Sequence, residues 1–267
     1  MRLRRQQEEQ VIMLSGFPPV LECRGVTAGY GDVQVLFGVD MHIQRGEVVA
    51  LLGANGAGKT TLLRVLSGLE PSWGGEVLLN SVPLGDTPCF RRIGEGICQI
   101  VGGESIADGL TVGEHLKLWA SSLERGAPVA ERMQEVAAVF PRLEERRSQM
   151  ASTLSGGEKQ MLALAKALIV HPDLLVIDEF SLGLAPIVVG ELLPVIRRIN
   201  ERGSAVLMVE QSVNVALAVA HRAYCMEKGA MVYHGSAEQL RSQPDLLRSV
   251  YLEGVTAALA SHGGGVQ

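Results

Sequence analysis

Eight residues, Gly53-Ala54-Asn55-Gly56-Ala57-Gly58-Lys59-Thr60, follow the pattern G-x-x-x-x-G-K-[ST], a spacing suited to holding a polyphosphate. Glycines in such a loop let the chain curl until successive N–H groups point into one concavity. The positive end of the following helix dipole adds to that field. A lysine at this position reaches the β- and γ-phosphates and the next hydroxyl ligates Mg²⁺; here they are Lys59 and Thr60. The apolar run Val48-Val49-Ala50-Leu51-Leu52 leads in, and Thr61-Leu62-Leu63-Arg64-Val65-Leu66 leads out with helical spacing. Strand, loop and helix is the context that separates a nucleotide site from an ordinary glycine-rich turn. Binding of a nucleoside triphosphate is expected.

Two further groups narrow the chemistry. Leu154-Ser155-Gly156-Gly157-Glu158 precedes an apolar-periodic segment, Met161 to Leu168. Ser155 suits an N-cap and Glu158, three residues on, completes a capping box. The glycine pair also strips side chains from that helix start, leaving its N–H groups open to an anion. Further along, Leu174-Leu175-Val176-Ile177-Asp178-Glu179 is a short apolar strand ending in two carboxylates. Asp178 is placed to hold Mg²⁺ through its water shell and Glu179 to polarise an attacking water.

With these residues in this order, the chain resembles the ATP-binding cassette family from about Leu21 to Leu252. The resemblance implies an α/β fold: a P-loop NTPase of the cassette type, with a RecA-like core, an antiparallel β subdomain and a helical subdomain. It implies ATP and Mg²⁺ as cofactors. Nucleotide contacts would come from Tyr30, stacked on adenine, from Gly53, Ala54, Asn55, Gly56, Ala57, Gly58, Lys59, Thr60 and Thr61, and from Ser155, Gly156, Gly157 and Glu158 of a second subunit. Thr60 and Asp178 would hold the metal, and Glu179, Gln211 and Lys59 would carry hydrolysis. Ser181-Leu182-Gly183-Leu184-Ala185-Pro186 is similar to the family's loop across the dimer interface.

Local features are similar to one subfamily, the ATP-binding subunits of branched-chain (hydrophobic) amino-acid importers: Phe140 to Arg147, Ser181 to Pro186, Val209-Glu210-Gln211 and Tyr251-Leu252-Glu253-Gly254. That resemblance implies a second ATPase subunit, identical or not, transmembrane permease subunits, an extracytoplasmic binding protein acting indirectly, and a peripheral place on the cytoplasmic face of the membrane. Two other readings stand beside it. One is a catalytically weak partner that holds ATP and lends its signature to an active subunit; the other is a soluble regulatory or nucleic-acid-linked ATPase. Three positions depart from the commonest family pattern. Gln211 stands where histidine is usual, as it does in the branched-chain subfamily; glutamine donates a hydrogen bond but does not titrate near neutral pH. A loop glutamine is expected near position 102, where the chain has Gly102; Gln99 falls inside a strand by alternation, and Glu104 is within reach if the loop re-registers. Phe180 replaces the usual proline after Glu179, which frees a fixed dihedral.

These residues need a large scaffold to position them. A chain of 267 residues suffices for one such domain and is too short for two. Its net charge of −5, without a basic cluster, argues against a nucleic-acid partner. No run approaches the roughly 18 apolar residues that span a bilayer, and the N-terminus is too polar for a signal peptide. With 47% hydrophobic and only 4% aromatic residues, the core is expected to be aliphatic. Cys23, Cys89, Cys98 and Cys225 form no C-x-x-C and read as small core residues of a reduced cytosolic protein. Residues 1–19 are expected to be a disordered extension with Met13 a candidate start, 20–254 the cassette with its helical subdomain at about 104–170, and 255–267 a flexible tail. Strands are expected at 20–27, 36–43, 48–52, 76–79, 97–101, 174–179, 205–209, 223–227 and 231–234, and two short helices after the last. Helices are expected at 60–69 and 213–220, with a longer one ending at Gly203. Trp73 is expected to pack at a turn, and Trp119, in the first helix of the helical subdomain, in a core or an interface.

Overall fold

The computed structural model describes residues 17–102, 106–123 and 127–242. At its centre, β3 (Val48–Leu52) is buried at every position. Val48, Ala50 and Leu52 enter one apolar core, and Val49 and Leu51 enter another on the opposite face. A strand covered on both faces must be apolar throughout, which is why this segment does not alternate. β7 (Leu174–Asp178) and β8 (Ala205–Val209) repeat the arrangement, Ile177 and Met208 joining the first core and Val176 and Leu207 the second. With β6 (Ile97–Val101), β9 (Arg222–Glu227) and β10 (Ala230–Ser236) they form a six-stranded sheet in the order β10-β9-β3-β8-β7-β6. It is parallel except for the β9–β10 hairpin.

An antiparallel sheet, ordered β2-β1-β4-β5, holds β1 (Leu21–Tyr30), β2 (Val33–Ile43), β4 (Gly74–Leu79) and β5 (Val82–Pro83). β1 and β2 run further than their alternation indicates, pairing as far as Tyr30 with Val33, so only Gly31 and Asp32 remain as a turn. Bulges in β1, and the exposed side chains of Val33 and Phe37, break the period-two pattern there. Trp73 packs at the expected turn, where a Cβ on Gly29 would come within 2.6 Å of its ring.

The helices are α1 (Lys59–Leu66), α2 (Cys89–Arg92), α3 (Val112–Ser121), α4 (Val129–Val139), α5 (Pro141–Glu145), α6 (Gly156–Val170), α7 (Pro186–Glu201), α8 (Val213–Val219) and α9 (Ala237–Ser242). α1 stops three residues short of Leu69, because the Ser67 hydroxyl folds back on the Leu63 carbonyl and Gly68 turns the chain at φ +72°. α3 begins with a capping box from Thr111 and Glu114. α6 is buried on nearly all sides and ties α3, α4 and α5 to β6 and α7. Trp119 lies in that core. α7 ends at the expected cap, with Gly203 at φ +100°. Of the four cysteines three are buried, but Cys89 is exposed, contrary to expectation, because it opens the surface helix α2. Among the described residues no helix is long and apolar enough to cross a membrane. Most of the expected terminal extensions, the second short helix after β10, residues 251–254 and the pair Gly103-Glu104 lie outside the described residues.

Candidate nucleotide site

Register places the candidate residues on one edge. Leu51 of β3 pairs with Val209 of β8, Asp178 of β7 with the same Val209, and Val101 of β6 with Asp178. The residues that follow each strand therefore emerge side by side at the carboxyl end of the sheet, where α/β proteins bind ligands.

From β3 comes the phosphate loop. Gly53, Gly56 and Gly58 all take positive φ, at +157°, +79° and +106°, which only glycine adopts without cost. Ala54, Asn55 and Gly56 are exposed, while Ala57, Gly58 and Lys59 are buried. The Lys59 ammonium donates to the carbonyls of Gly53 (2.7 Å) and Ala54 (3.0 Å), spanning its own loop. Burial lowers its pKa from the ordinary lysine value, and the carboxylates of Glu179 and Asp178 pull it back up. A desolvated cation of this kind attracts an anion such as phosphate. Tyr30 is held by its hydroxyl to Thr61 Oγ1 at 3.3 Å, with the Arg64 guanidinium 5.9 Å over its ring.

β7 delivers Asp178 and Glu179. Glu179 takes φ +49°, which costs a residue bearing a Cβ about 1–2 kcal/mol. Three contacts hold it there: its N–H donates to the Val209 carbonyl at 2.8 Å, Gln211 Nε2 donates to its Oε1 at 3.0 Å, and the next side chain, Phe180, is wholly buried in the core. Phenylalanine here is an apolar anchor for a strained neighbour. Beside them Gly102 donates its N–H to the Asp178 carbonyl at 2.8 Å, and a Cβ on it would overlap the Glu179 carbonyl oxygen. Where the family pattern places a loop glutamine, the structure shows a glycine fastened to the backbone of the two carboxylates. Gly102→Gln should consequently displace Glu179 and lower the hydrolysis rate about tenfold or more, with ATP affinity within a few-fold of the parent. Paired measurements of turnover and nucleotide binding check this, and parent-like turnover would refute it.

The signature, Leu154-Ser155-Gly156-Gly157-Glu158, stands apart. Ser155 and Glu158 form the expected capping box: the Ser155 N–H and hydroxyl both donate to Glu158 Oε2 at 2.9 Å, and Glu158 pairs with Arg146 at 2.8 Å. The Ser155 N–H holds the Glu158 carboxyl below its usual range. A Cβ on Gly157 would come 2.9 Å from Val188 Cγ1, and one on Gly156 3.4 Å from Leu184. Gly157 thus lets the start of α6 approach Val188 of α7, while Gly156 lies in ordinary contact range of Leu184. Among the described residues no hydrogen bond or ion pair joins the signature to the phosphate loop.

A family model described as ABC transporter matches residues 36–181. The chain belongs to the ABC transporter family. It is 38% identical to the high-affinity branched-chain amino acid transport ATP-binding protein BraG of Pseudomonas aeruginosa, across 86% of this chain and 97% of that one. It is 33% identical to a probable branched-chain amino acid transport ATP-binding protein, LivF, of Archaeoglobus fulgidus (80% and 91% covered). At 29% it is similar to the lipopolysaccharide export ATP-binding protein LptB of Escherichia coli (87% and 96%). A solved ATP-binding subunit of an ABC transporter superposes with TM-score 0.76 at 29% identity, over 86% of this chain and 97% of that one. The ABC chain is accordingly an ATPase coupled to transport, with the α/β cassette fold expected from its motifs.

Two residues beside this ABC site have no role assigned by the motifs, although Glu210 belongs to Val209-Glu210-Gln211. Glu210, 1% exposed, accepts from the Ser181 N–H (3.1 Å) and hydroxyl (2.5 Å), tying the loop after Glu179 to the strand end that bears Gln211. Burial pushes its carboxyl pKa up, and the bonds from Ser181 hold it down. A carboxylate directly after a fully buried strand was the available signal. The other is Gly229, in the turn between β9 and β10. The donor set also fits Mg²⁺. Thr60 and Asp178 offer hard oxygens, and no group of three or more His, Cys, Asp or Glu able to hold a metal occurs among the described residues. Mg²⁺ is usually held by one or two protein oxygens with the remaining positions left to water and phosphate.

Proposed function

We propose that this chain is the energy-coupling ATPase of an importer for branched-chain or other hydrophobic amino acids. The observation that carries the substrate class is the 38% identity to BraG over nearly all of that protein's length. The lower identity to an aliphatic sulfonate import protein and to LptB makes sulfonates and lipopolysaccharide the natural competitors in a test. ATP would sit on the phosphate loop of one subunit under Ser155-Gly156-Gly157-Glu158 of a second, with adenine against Tyr30. The exposure of Ser155 and Gly156 at the start of α6 supports this pairing. Lys59 would exchange its two loop carbonyls for β- and γ-phosphate oxygens. Glu179 would orient the attacking water, and Gln211, now bonded to Glu179, would turn its amide to the γ-phosphate. Mg²⁺ held by Thr60 and Asp178 would neutralise charge on the transferring phosphoryl group.

The helical subdomain would pass closure of the pair to permease subunits, placing the chain peripherally at the cytoplasmic face of a membrane, with the extracytoplasmic binding protein contacted only through the permease and no nucleic acid involved. Reconstitution with branched-chain amino-acid permease subunits tests the reading. ATP-dependent uptake of leucine, isoleucine or valine into vesicles is expected, with little uptake of an alkyl sulfonate. Sulfonate uptake without amino-acid uptake would overturn the substrate class.

A further inference from the structure

We propose that the β9–β10 hairpin turn is the back wall of the phosphate loop and that Gly229 is a positioning residue for ATP, although it does not touch the nucleotide. This rests on the phosphate-loop reading above. The Gly229 N–H donates to the Ala57 carbonyl at 2.8 Å, and its own carbonyl accepts from the Phe37 N–H at 2.9 Å. One residue thereby links the loop to both sheets. Ala57 C=O and Gly58 N–H belong to a single planar trans peptide and point in opposite directions. Holding that carbonyl outward fixes the Gly58 N–H inward, toward the phosphate concavity. The start of the loop is braced by the same hairpin, since a Cβ on Gly53 would overlap the Met226 carbonyl oxygen. A Cβ on Gly58 would meet Gly229 Cα and Met226 Sδ at 3.3 Å.

The turn is built to make this approach. Lys228 and Gly229 take φ +46° and +78°, the two positive values of a tight hairpin turn. A Cβ on Gly229 would overlap the Val35 carbonyl oxygen and come 2.8 Å from the Phe37 ring. Any side chain there must therefore displace the turn from β2 and with it the residue that holds Ala57, while the exposed Lys228 side chain can change freely.

In the full chain, Gly229→Ala should weaken binding of a non-hydrolysable ATP analogue with Mg²⁺ about tenfold or more, the range for losing hydrogen bonds to a charged group. At saturating ATP, kcat should fall by less than the affinity does. Lys228→Asn, which keeps the turn conformation, should bind like the parent. Unchanged affinity in a folded Gly229→Ala protein overturns the proposal. Should that variant fail to fold, amide exchange in the unaltered chain decides. Slowed exchange at Gly229 when the analogue binds supports the coupling, and no change there overturns it. Failure of the unaltered chain to bind the analogue at all would instead sink the phosphate-loop reading.

Discussion

Lys59→Ala is expected to abolish measurable turnover and to weaken ATP binding by about 10- to 100-fold, the equivalent of roughly 1.5–3 kcal/mol for charge-assisted hydrogen bonds. The ammonium is buried and bonds two loop carbonyls. Its removal costs the loop a cross-link as well as the phosphate its main side-chain cation. Burial also lowers the lysine pKa from its ordinary value, so affinity should decline as alkaline pH approaches that value, earlier than an exposed lysine would require. The sign follows from the charge: the protonated form binds phosphate, and it is lost as pH rises through the lowered pKa. Titration calorimetry with Mg-ATP on parent and variant, repeated across alkaline pH, measures both effects. A variant that binds and hydrolyses like the parent removes Lys59 from the site.

Glu179→Gln is expected to retain ATP affinity while slowing hydrolysis by about 10²–10⁴-fold, and to accumulate an ATP-bound dimer. The amide keeps the shape, and its remaining carbonyl oxygen can still accept from Gln211 Nε2, now 3.0 Å from Oε1. The left-handed backbone at φ +49° and the buried Phe180 anchor are untouched. What disappears is the negative charge that orients and polarises water. Steady-state ATPase of the assembled transporter, with size-exclusion chromatography in ATP, decides the matter. Unchanged turnover would move the catalytic role elsewhere and favour a subunit that chiefly binds ATP.

Local chemistry in the sequence determined the phosphate loop, the capping box and the apolar strands. A glycine at positive φ, a serine bonding three residues ahead and a strand buried on both faces each need residue types at fixed short spacings. Gly53 to Thr60, Ser155 with Glu158, and Val48 to Leu52 were therefore legible without coordinates. Bonds between distant segments were not. Glu210 grips Ser181 across 29 positions, Gly102 lies against the backbone of Glu179, and Gly229 holds Ala57. Periods of 2 and 3.6 residues tell a segment which face is apolar, but not which strand it will lie beside. Only the strand order β9-β3-β8-β7-β6 and its register place these groups together. That placement makes Gly102 a close fit against Glu179, because a residue's freedom is set by what packs against it as much as by its own type.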